Sequence, residues 1–482
     1  MSAPVRQRAG IPIHALPAVV TEVIERAGGS APPKLAMAYL RVKPGRGLAA
    51  VYRTVPRTSG VADHPPMIYL SIDETGLEGV RARSLSAFLR GAGIEGAWPG
   101  VVAIPSAGLV LQSFPTDRRL PALVAACDLH PGSPAFAALE AAAVEEEDSS
   151  AVRLLGASVT PLRYKPGDRC VLRYRLELEA GSRRSDTTVI GKVYRDPREA
   201  ERIHGLLDRM HDSQSAQTGA VVAGVRLTSP LVPRPLAVVS DLGLTLNEDV
   251  RRPGVGVVTG TDALGPRPEL AAIPEQRLGS AAVALARLHT GSVNADPEAV
   301  RTPDVAASRA LARAERLREY APEAADRALA IAEALGRCLR ATTGAPALPA
   351  HGSFKPAQLL FREGDEVVVT DFDQFCRAEP ALDVGYFLAY LRPSSLWHGK
   401  RGARAWFSRA ASGFTEPYRE AMTALGAEPS VTDGALERAA LYEAALVFKI
   451  ANRRPNRLNS IRPHELGEML AEADGCLAGR RR

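Results

Sequence analysis

Two groups of side chains in this sequence have the types and spacing for phosphate chemistry. The first is His351-Gly352-Ser353-Phe354-Lys355-Pro356-Ala357-Gln358, followed by Asp371-Phe372-Asp373. The run Val367-Val368-Val369-Thr370 between them is apolar and β-branched, which predicts a buried strand delivering Asp371 at its end. A carboxylate so placed can reach a magnesium ion that bridges the phosphates of a nucleotide. The second group centres on Lys192, inside the β-branched run Thr187-Thr188-Val189-Ile190-Gly191-Lys192-Val193-Tyr194. The chain carries only seven lysines against a large excess of arginine. An ammonium and a guanidinium are not interchangeable at a compact phosphate contact, so a lysine inside an apolar strand of so arginine-rich a chain stands out. The plainer reading is a lysine snorkelling from an edge strand.

The elements that must position these groups can be read around them. Asp196-Pro197-Arg198-Glu199 is a helix start, and Ala200, Ile203, Leu207 and Met210 mark that helix's apolar face. Tyr164-Lys165-Pro166-Gly167-Asp168-Arg169 is a turn between strands at 153–163 and 170–179. Leu244–Val250 reads as a further strand. Downstream, 306–339, 403–425 and 433–452 carry the 3.6-residue apolar recurrence of helices, and a last helix is expected at 465–478.

These pieces resemble the aminoglycoside phosphotransferase family and, more widely, the protein-kinase-like small-molecule kinases. That family carries H-G-D-x-x-x-x-N/Q and then a D-x-D-like motif; here Ser353 stands at the catalytic Asp and Gln358 at the metal-binding Asn or Gln. Glu379-Pro380-Ala381-Leu382-Asp383 resembles the family's G-D-P-A-x-D-L segment, whose second Asp braces the catalytic loop. Ala284–His289 resembles the helix before that loop. The resemblance implies a bilobal α+β fold with a β-rich small lobe and a helical large lobe, and ATP and Mg2+ as cofactors. It casts Asp371 and Gln358 as metal ligands and Lys192 as the phosphate clamp, paired with Glu199 or Glu201. Lys165 falls in the phosphate-covering turn. Glu248, Asp249 and Val250 fall at the hinge that faces adenine. Ser353 is the departure. A hydroxyl has no useful basicity near neutral pH, and general-base help is worth roughly 10²–10⁴-fold. Asp373 is a substitute base or second metal ligand, Lys355 is a further catalytic candidate, and His351 is expected to be structural. Two functions stay open: an ATP-dependent phosphotransferase acting on a hydroxyl of a small molecule or peptide, or a nucleotide-binding pseudokinase serving as a scaffold.

The sequence also repeats itself. Lys43-Pro44-Gly45 and Tyr52-Arg53 recur as Lys165-Pro166-Gly167 and Tyr174-Arg175, 122 residues on. That offset places Leu70 opposite Lys192, and a helix at 78–89 would answer the one at 198–210. The expected organisation is a degenerate small-lobe copy at 1–150, a small lobe at 151–250 and a helical large lobe at 251–482.

Composition narrows the alternatives. A formal charge of +6 spread over 482 residues, with no aromatic-interleaved basic patch, argues against a nucleic-acid partner. Five scattered cysteines without C-x-x-C suggest reduced thiols in a cytoplasmic protein. No signal-peptide core or apolar run of membrane-spanning length is evident, so no membrane partner is expected. The acceptor pocket is expected among the large-lobe helices near Trp397-His398, Trp406 and Tyr418, with the 453–459 loop. Core is the better reading of those aromatic residues.

Overall fold

A computed structural model describes residues 16–32, 34–43, 47–54, 66–76, 92–147, 152–215, 218–228, 230–251, 254, 256–265, 272–341, 346–363, 366–453 and 465–479. The expected helix at 78–89, the first Pro44-Gly45 turn and most of the 453–459 loop lie outside these residues. The chain forms two compact units. One draws on residues up to Glu201 with Ala237–Leu246, the other on Arg202–Leu236, Asn247–Asn452 and the residues from Glu465.

The first unit opens with helix α1 (Leu16–Arg26), whose Leu16, Val19, Val20, Val23 and Ile24 form one buried stripe. That stripe joins Leu40, Tyr52, Ile68, Leu70, Val102 and Leu111 in a single core. The strands are β1 (Leu35–Lys43), β2 (Gly47–Thr54), β3 (Met67–Ile72), β4 (Val101–Ile104) and β5 (Leu109–Ser113), in sheet order β1-β2-β3-β5-β4. After helix α2 (Pro134–Glu147) come β6 (Val152–Lys165), β7 (Arg169–Ala180) and β8 (Arg183–Tyr194). Helix α3 (Pro197–Ser215), which passes into the second unit after Glu201, is followed by β9 (Pro235–Val239) and β10 (Leu244–Glu248). The second sheet runs β6-β7-β8-β10-β9, the same order strand for strand. In each copy a 3₁₀ turn closed by a left-handed glycine joins the last two strands, at Gly108 and at Gly243. The α+β architecture with an additional N-terminal sheet is therefore present.

The register corrects one expectation. Tyr52 pairs with Ile68, and its counterpart Tyr174 pairs with Val189. The Asp73 amide donates to the Gly108 carbonyl and the Tyr194 amide to the Gly243 carbonyl, both at 2.9 Å. Both relations set β3 and β8 apart by 121 residues, not 122. Lys192 is therefore matched by Ser71, and Leu70 by Gly191. Leu70 is fully buried in the core while Ser71 is half-buried, as Lys192 is.

The second unit is mostly helical. It contains α4 (Glu275–His289), α5 (Pro303–Tyr320), α6 (Pro322–Arg340), α7 (Ala381–Leu391), α8 (Ala403–Ala424), α9 (Pro429–Ala451) and α10 (Leu466–Leu477). The stretch read as continuous from 306 to 339 is broken at Ala321, where Pro322 starts a new helix. One short strand precedes α4, β11 (Val258–Thr259), and five lie between α4 and α7: β12 (Val300–Arg301), β13 (Leu348–Ala350), β14 (Leu359–Phe361), β15 (Val367–Val369) and β16 (Cys376–Ala378). They form two sheets, β11-β14-β15 and β12-β16-β13. Helices α7 and α9 approach so closely at Gly385 that a Cβ there would lie 2.6 Å from the Tyr442 Cβ. Among the described residues no helix is long and apolar enough to cross a membrane.

Candidate active site

In the first unit the β6–β7 turn is held from outside itself. Buried Asp117 accepts from the Tyr164 hydroxyl and the Gly167 amide, each at 2.7 Å, and from the Arg119 amide at 2.8 Å. Nothing in the sequence near the turn announced Asp117, which lies in the segment between the two sheets. Lys165 forms an ion pair with Asp168 across the turn. Burial raises the Asp168 carboxyl, but Lys165, Arg169 and Lys192 outweigh it and leave the group below its usual range. Lys192 thus belongs to the electrostatic surroundings of the turn. It lies over the Tyr194 ring, 5.1 Å from the centroid. At the start of α3, Asp196 accepts from the Arg198 amide at 3.1 Å. Glu199 is half-buried and lines an open cleft with Asp168, Arg169 and Tyr194, whereas Glu201 is exposed.

In the second unit β13 delivers His351 and β15 delivers Asp371. The loop between them requires Gly352, which has φ +73° and whose added Cβ would collide with the Gln374 carbonyl. Asp383, in the first turn of α7 and fully buried, accepts from the amides of Gly352 and Phe354, each at 3.1 Å. Burial raises its carboxyl, but His289, His351 and the loop amides outweigh that and hold it below the usual carboxylate range. His289 lies 3.7 Å from Asp383 through Nε2 and bonds the Tyr418 hydroxyl through Nδ1 at 2.7 Å. Asp383 therefore braces the loop as the resemblance implied.

A polar chain crosses this loop. His351 Nε2 donates to the Thr370 carbonyl at 3.1 Å. Burial lowers the imidazole's pKa, so the ring is neutral and Nδ1 carries a lone pair. That Nδ1 faces Ser353 Oγ at 3.4 Å. Gln358 Nε2 donates to Ser353 Oγ at 3.1 Å and approaches Asp371 Oδ2 at 3.4 Å. With both Gln358 amide hydrogens so directed, the Ser353 hydroxyl is left to donate to His351. Around the chain, the His351 ring lies against Phe354 and Phe372. Asp373 is buried in the 3₁₀ turn after Asp371. Lys355 lies over the Tyr390 ring, 5.5 Å from its centroid.

Asp371 has φ +70° and ψ +54°, a left-handed conformation that a side-chain-bearing residue adopts at a cost of about 1–3 kcal/mol. Gln358 Oε1 is buried without a hydrogen-bond partner. An orphaned carbonyl oxygen beside a strand-end carboxylate fits a hard divalent cation. Among the described residues no cluster of three or more His, Cys, Asp or Glu forms a self-sufficient metal site. Magnesium held by one or two carboxylates together with nucleotide phosphates needs no such cluster.

At the expected hinge, Glu248 is bound by Arg362 at 2.5 Å, and its amide donates to the Arg234 carbonyl at 2.9 Å. Asp249 and Val250 are buried. Trp406 and Tyr418 are core residues. Sequence reasoning also missed Arg438, which binds Glu379 through two hydrogen bonds of 2.5 and 2.8 Å. It missed Arg301 as well, which donates to the Gly352 carbonyl at 2.7 Å and to the Gln374 side chain.

Residues 170–423 match the phosphotransferase enzyme family, APH, over more than half of the chain. The chain belongs to this family. No curated protein matches it. Among solved structures it is similar to a glucosamine kinase in complex with glucosamine, ADP and inorganic phosphate. That one is 17% identical, with 73% of this chain and 87% of the other covered and a TM-score of 0.44. The choline kinase LicA from Streptococcus pneumoniae is 13% identical, covering 70% of this chain and 98% of its own, with a TM-score of 0.42. The ADP-bound aminoglycoside phosphotransferase APH(2'')-Ib is 11% identical, with coverages of 70% and 98% and a TM-score of 0.41.

Proposed function

We propose that the protein is an ATP-dependent phosphotransferase that phosphorylates a hydroxyl group of a small molecule. The observation that carries this reading is the ordered chain His351–Ser353–Gln358–Asp371 on a loop braced by Asp383. ATP with Mg2+ would supply the phosphoryl group and the charge that neutralises it, with Asp371 and Gln358 as protein ligands and Lys192 as the phosphate contact. The acceptor hydroxyl passes its proton to Ser353 Oγ while Ser353 passes its own to His351 Nδ1. The imidazolium so formed is favoured by the carboxylates of Asp383 and Asp371, which already raise its affinity for a proton against burial. Phosphoryl transfer through a loose transition state asks little of the base, so a weak relay suffices.

In this reading residues 151–250 form the nucleotide lobe, 251–482 the acceptor lobe, and 1–150 a copy of the former in which Ser71 replaces the lysine. All five cysteines are free thiols, which suits a reducing, cytoplasmic setting. The test is incubation with ATP, Mg2+ and a panel of hydroxyl compounds, with product detected by mass spectrometry, alongside calorimetric titration of Mg-ATP. Lys192→Ala and Asp371→Ala should each weaken nucleotide binding at least tenfold with the fold intact. Bound ATP without product or slow turnover would refute the proposal. One observation favours a second reading: the serine at the position where the family carries its base. In a nucleotide-binding scaffold, Ser353→Asp would raise activity from nothing. In an enzyme built around the relay it lowers activity.

A further inference from the structure

The second unit contains a cavity of about 60 Å³ between α5, α7 and α9. That is room for roughly four water molecules, the size of one small anionic group. Arg301, Arg309, Arg313 and Lys449 line it, and none of its lining residues is acidic. Arg309 and Arg313 lie one turn apart on α5, on the face that also carries Val305. Lys449 donates to the Tyr386 hydroxyl at 2.6 Å. Two nearby carboxylates are already engaged. Glu379 is held by Arg438 and by the Tyr442 hydroxyl, and Asp383 by the loop amides. Four cations around one cavity repel one another, and an entering anion relieves that repulsion.

The cavity is also tied to the catalytic loop at two points. Arg301 donates to the carbonyl of Gly352, the residue before Ser353. Lys355 lies over the Tyr390 ring, Tyr390 sits against Tyr386 with centroids 6.4 Å apart, and Lys449 lies over Tyr386 at 4.9 Å. A group seated in this cavity is therefore registered against Ser353 through both arms. We infer that the acceptor is an anionic small molecule, a hydroxyl compound bearing a phosphate or carboxylate group that this arginine-rich cavity anchors. The inference rests on the phosphotransferase reading for the hydroxyl, and on the cavity alone for the anion.

The experiment is calorimetric titration of the full-length protein, without nucleotide, with inorganic phosphate and in parallel with acetate. Phosphate binding is expected, to weaken about tenfold in Arg309→Gln and again in Arg313→Gln. Arg313→Lys should recover part of the loss, and Lys192→Ala should leave binding unchanged. Arg309 is exposed, so its variant carries the test even if Arg313→Gln unfolds. Stronger binding of phosphate or of acetate tells which anion the acceptor bears, and either supports the site. Phosphate affinity that ignores Arg309→Gln and Arg313→Gln, or that vanishes in Lys192→Ala, overturns it. In turnover assays with matched acceptors, the anionic member of each pair should be preferred, with the preference held in KM and lost in Arg309→Gln. Anion binding at this cavity without any phosphorylated product would fell the phosphotransferase reading and leave the anion site standing. Turnover of neutral acceptors with no anion preference would do the reverse.

Discussion

Replacing Asp383 by Asn tests how the loop from His351 to Gln358 is held. The native carboxylate gives one oxygen to the Gly352 amide and the other to the Phe354 amide, each at 3.1 Å, with His289 at 3.7 Å. A carboxamide has the same shape but only one acceptor. One of the two buried amides then loses its partner and faces an NH2 group. An unsatisfied buried donor costs about 1–3 kcal/mol, and the charge-assisted character of the remaining bond is also lost. Against this, a fully buried charge no longer has to be desolvated. The balance is a loss of about 2–3 kcal/mol for Asn, and about 3–5 kcal/mol for Ala, which removes both acceptors. The assay is urea denaturation at pH 7, read as a fall in the midpoint at unchanged slope. Amide hydrogen exchange at Gly352 and Phe354 localises the effect to the loop. The folded-state carboxyl titrates below its ordinary value. Its contribution is therefore present above about pH 3.9, the unfolded value, and is lost as pH falls through the folded one. The Asn variant should lack that part of the acid-induced loss. A destabilisation below about 0.5 kcal/mol, with exchange at the two amides unchanged, would refute the assignment of Asp383 as the brace.

Two further outcomes follow from the geometry. Leu70→Ala should cost about 2–5 kcal/mol of stability, because the side chain is fully buried in the first core, yet leave Mg-ATP affinity unchanged; loss of binding in a folded variant would contradict the register. Burial lowers the His351 pKa, so the acid limb of the kcat profile should lie below about pH 6.5. His351→Gln should abolish that limb, and a profile identical to the parent's would exclude His351 from the proton path.

Much of the site was legible in the sequence because its signals are local. Asp371 ends an apolar strand, Lys192 lies within one, and Asp196-Pro197 starts a helix; each is decided by residues within a turn of itself. The sheet register was not. In a strand, neighbouring side chains point to opposite faces, so a slip of one residue exchanges inside for outside. The Tyr-Arg matches fixed β2 against β7, but nothing between residues 54 and 67 fixed β3. Only the ladder and the turn hydrogen bonds show that Ser71, and not Leu70, answers Lys192. Asp117, Arg301 and Arg438 escaped for a related reason. Their partners lie 47, 51 and 59 residues away, and no periodicity links a charge to a loop at that distance.

The serine at the centre of the site is best understood through what surrounds it. The buried Asp383 carboxylate carries a desolvation cost that its partners outweigh, and the left-handed backbone of Asp371 carries about 1–3 kcal/mol of conformational cost. Neither is needed to fill the core, which Ala350, Cys376, Ala378 and Leu382 build without them. Both instead fix where the loop's polar atoms point. Asp383 aims the backbone from Gly352 to Phe354, and the turn at Asp371 presents its carboxylate to Gln358. With those two positions set, the side chain at 353 has its oxygen between a histidine lone pair and an amide hydrogen. An aspartate there would be a second carboxylate close to Asp371 and would bring a charge against a buried imidazole held neutral. A serine satisfies the same two partners with no net charge, and the loop around it is built for a hydroxyl that both donates and accepts.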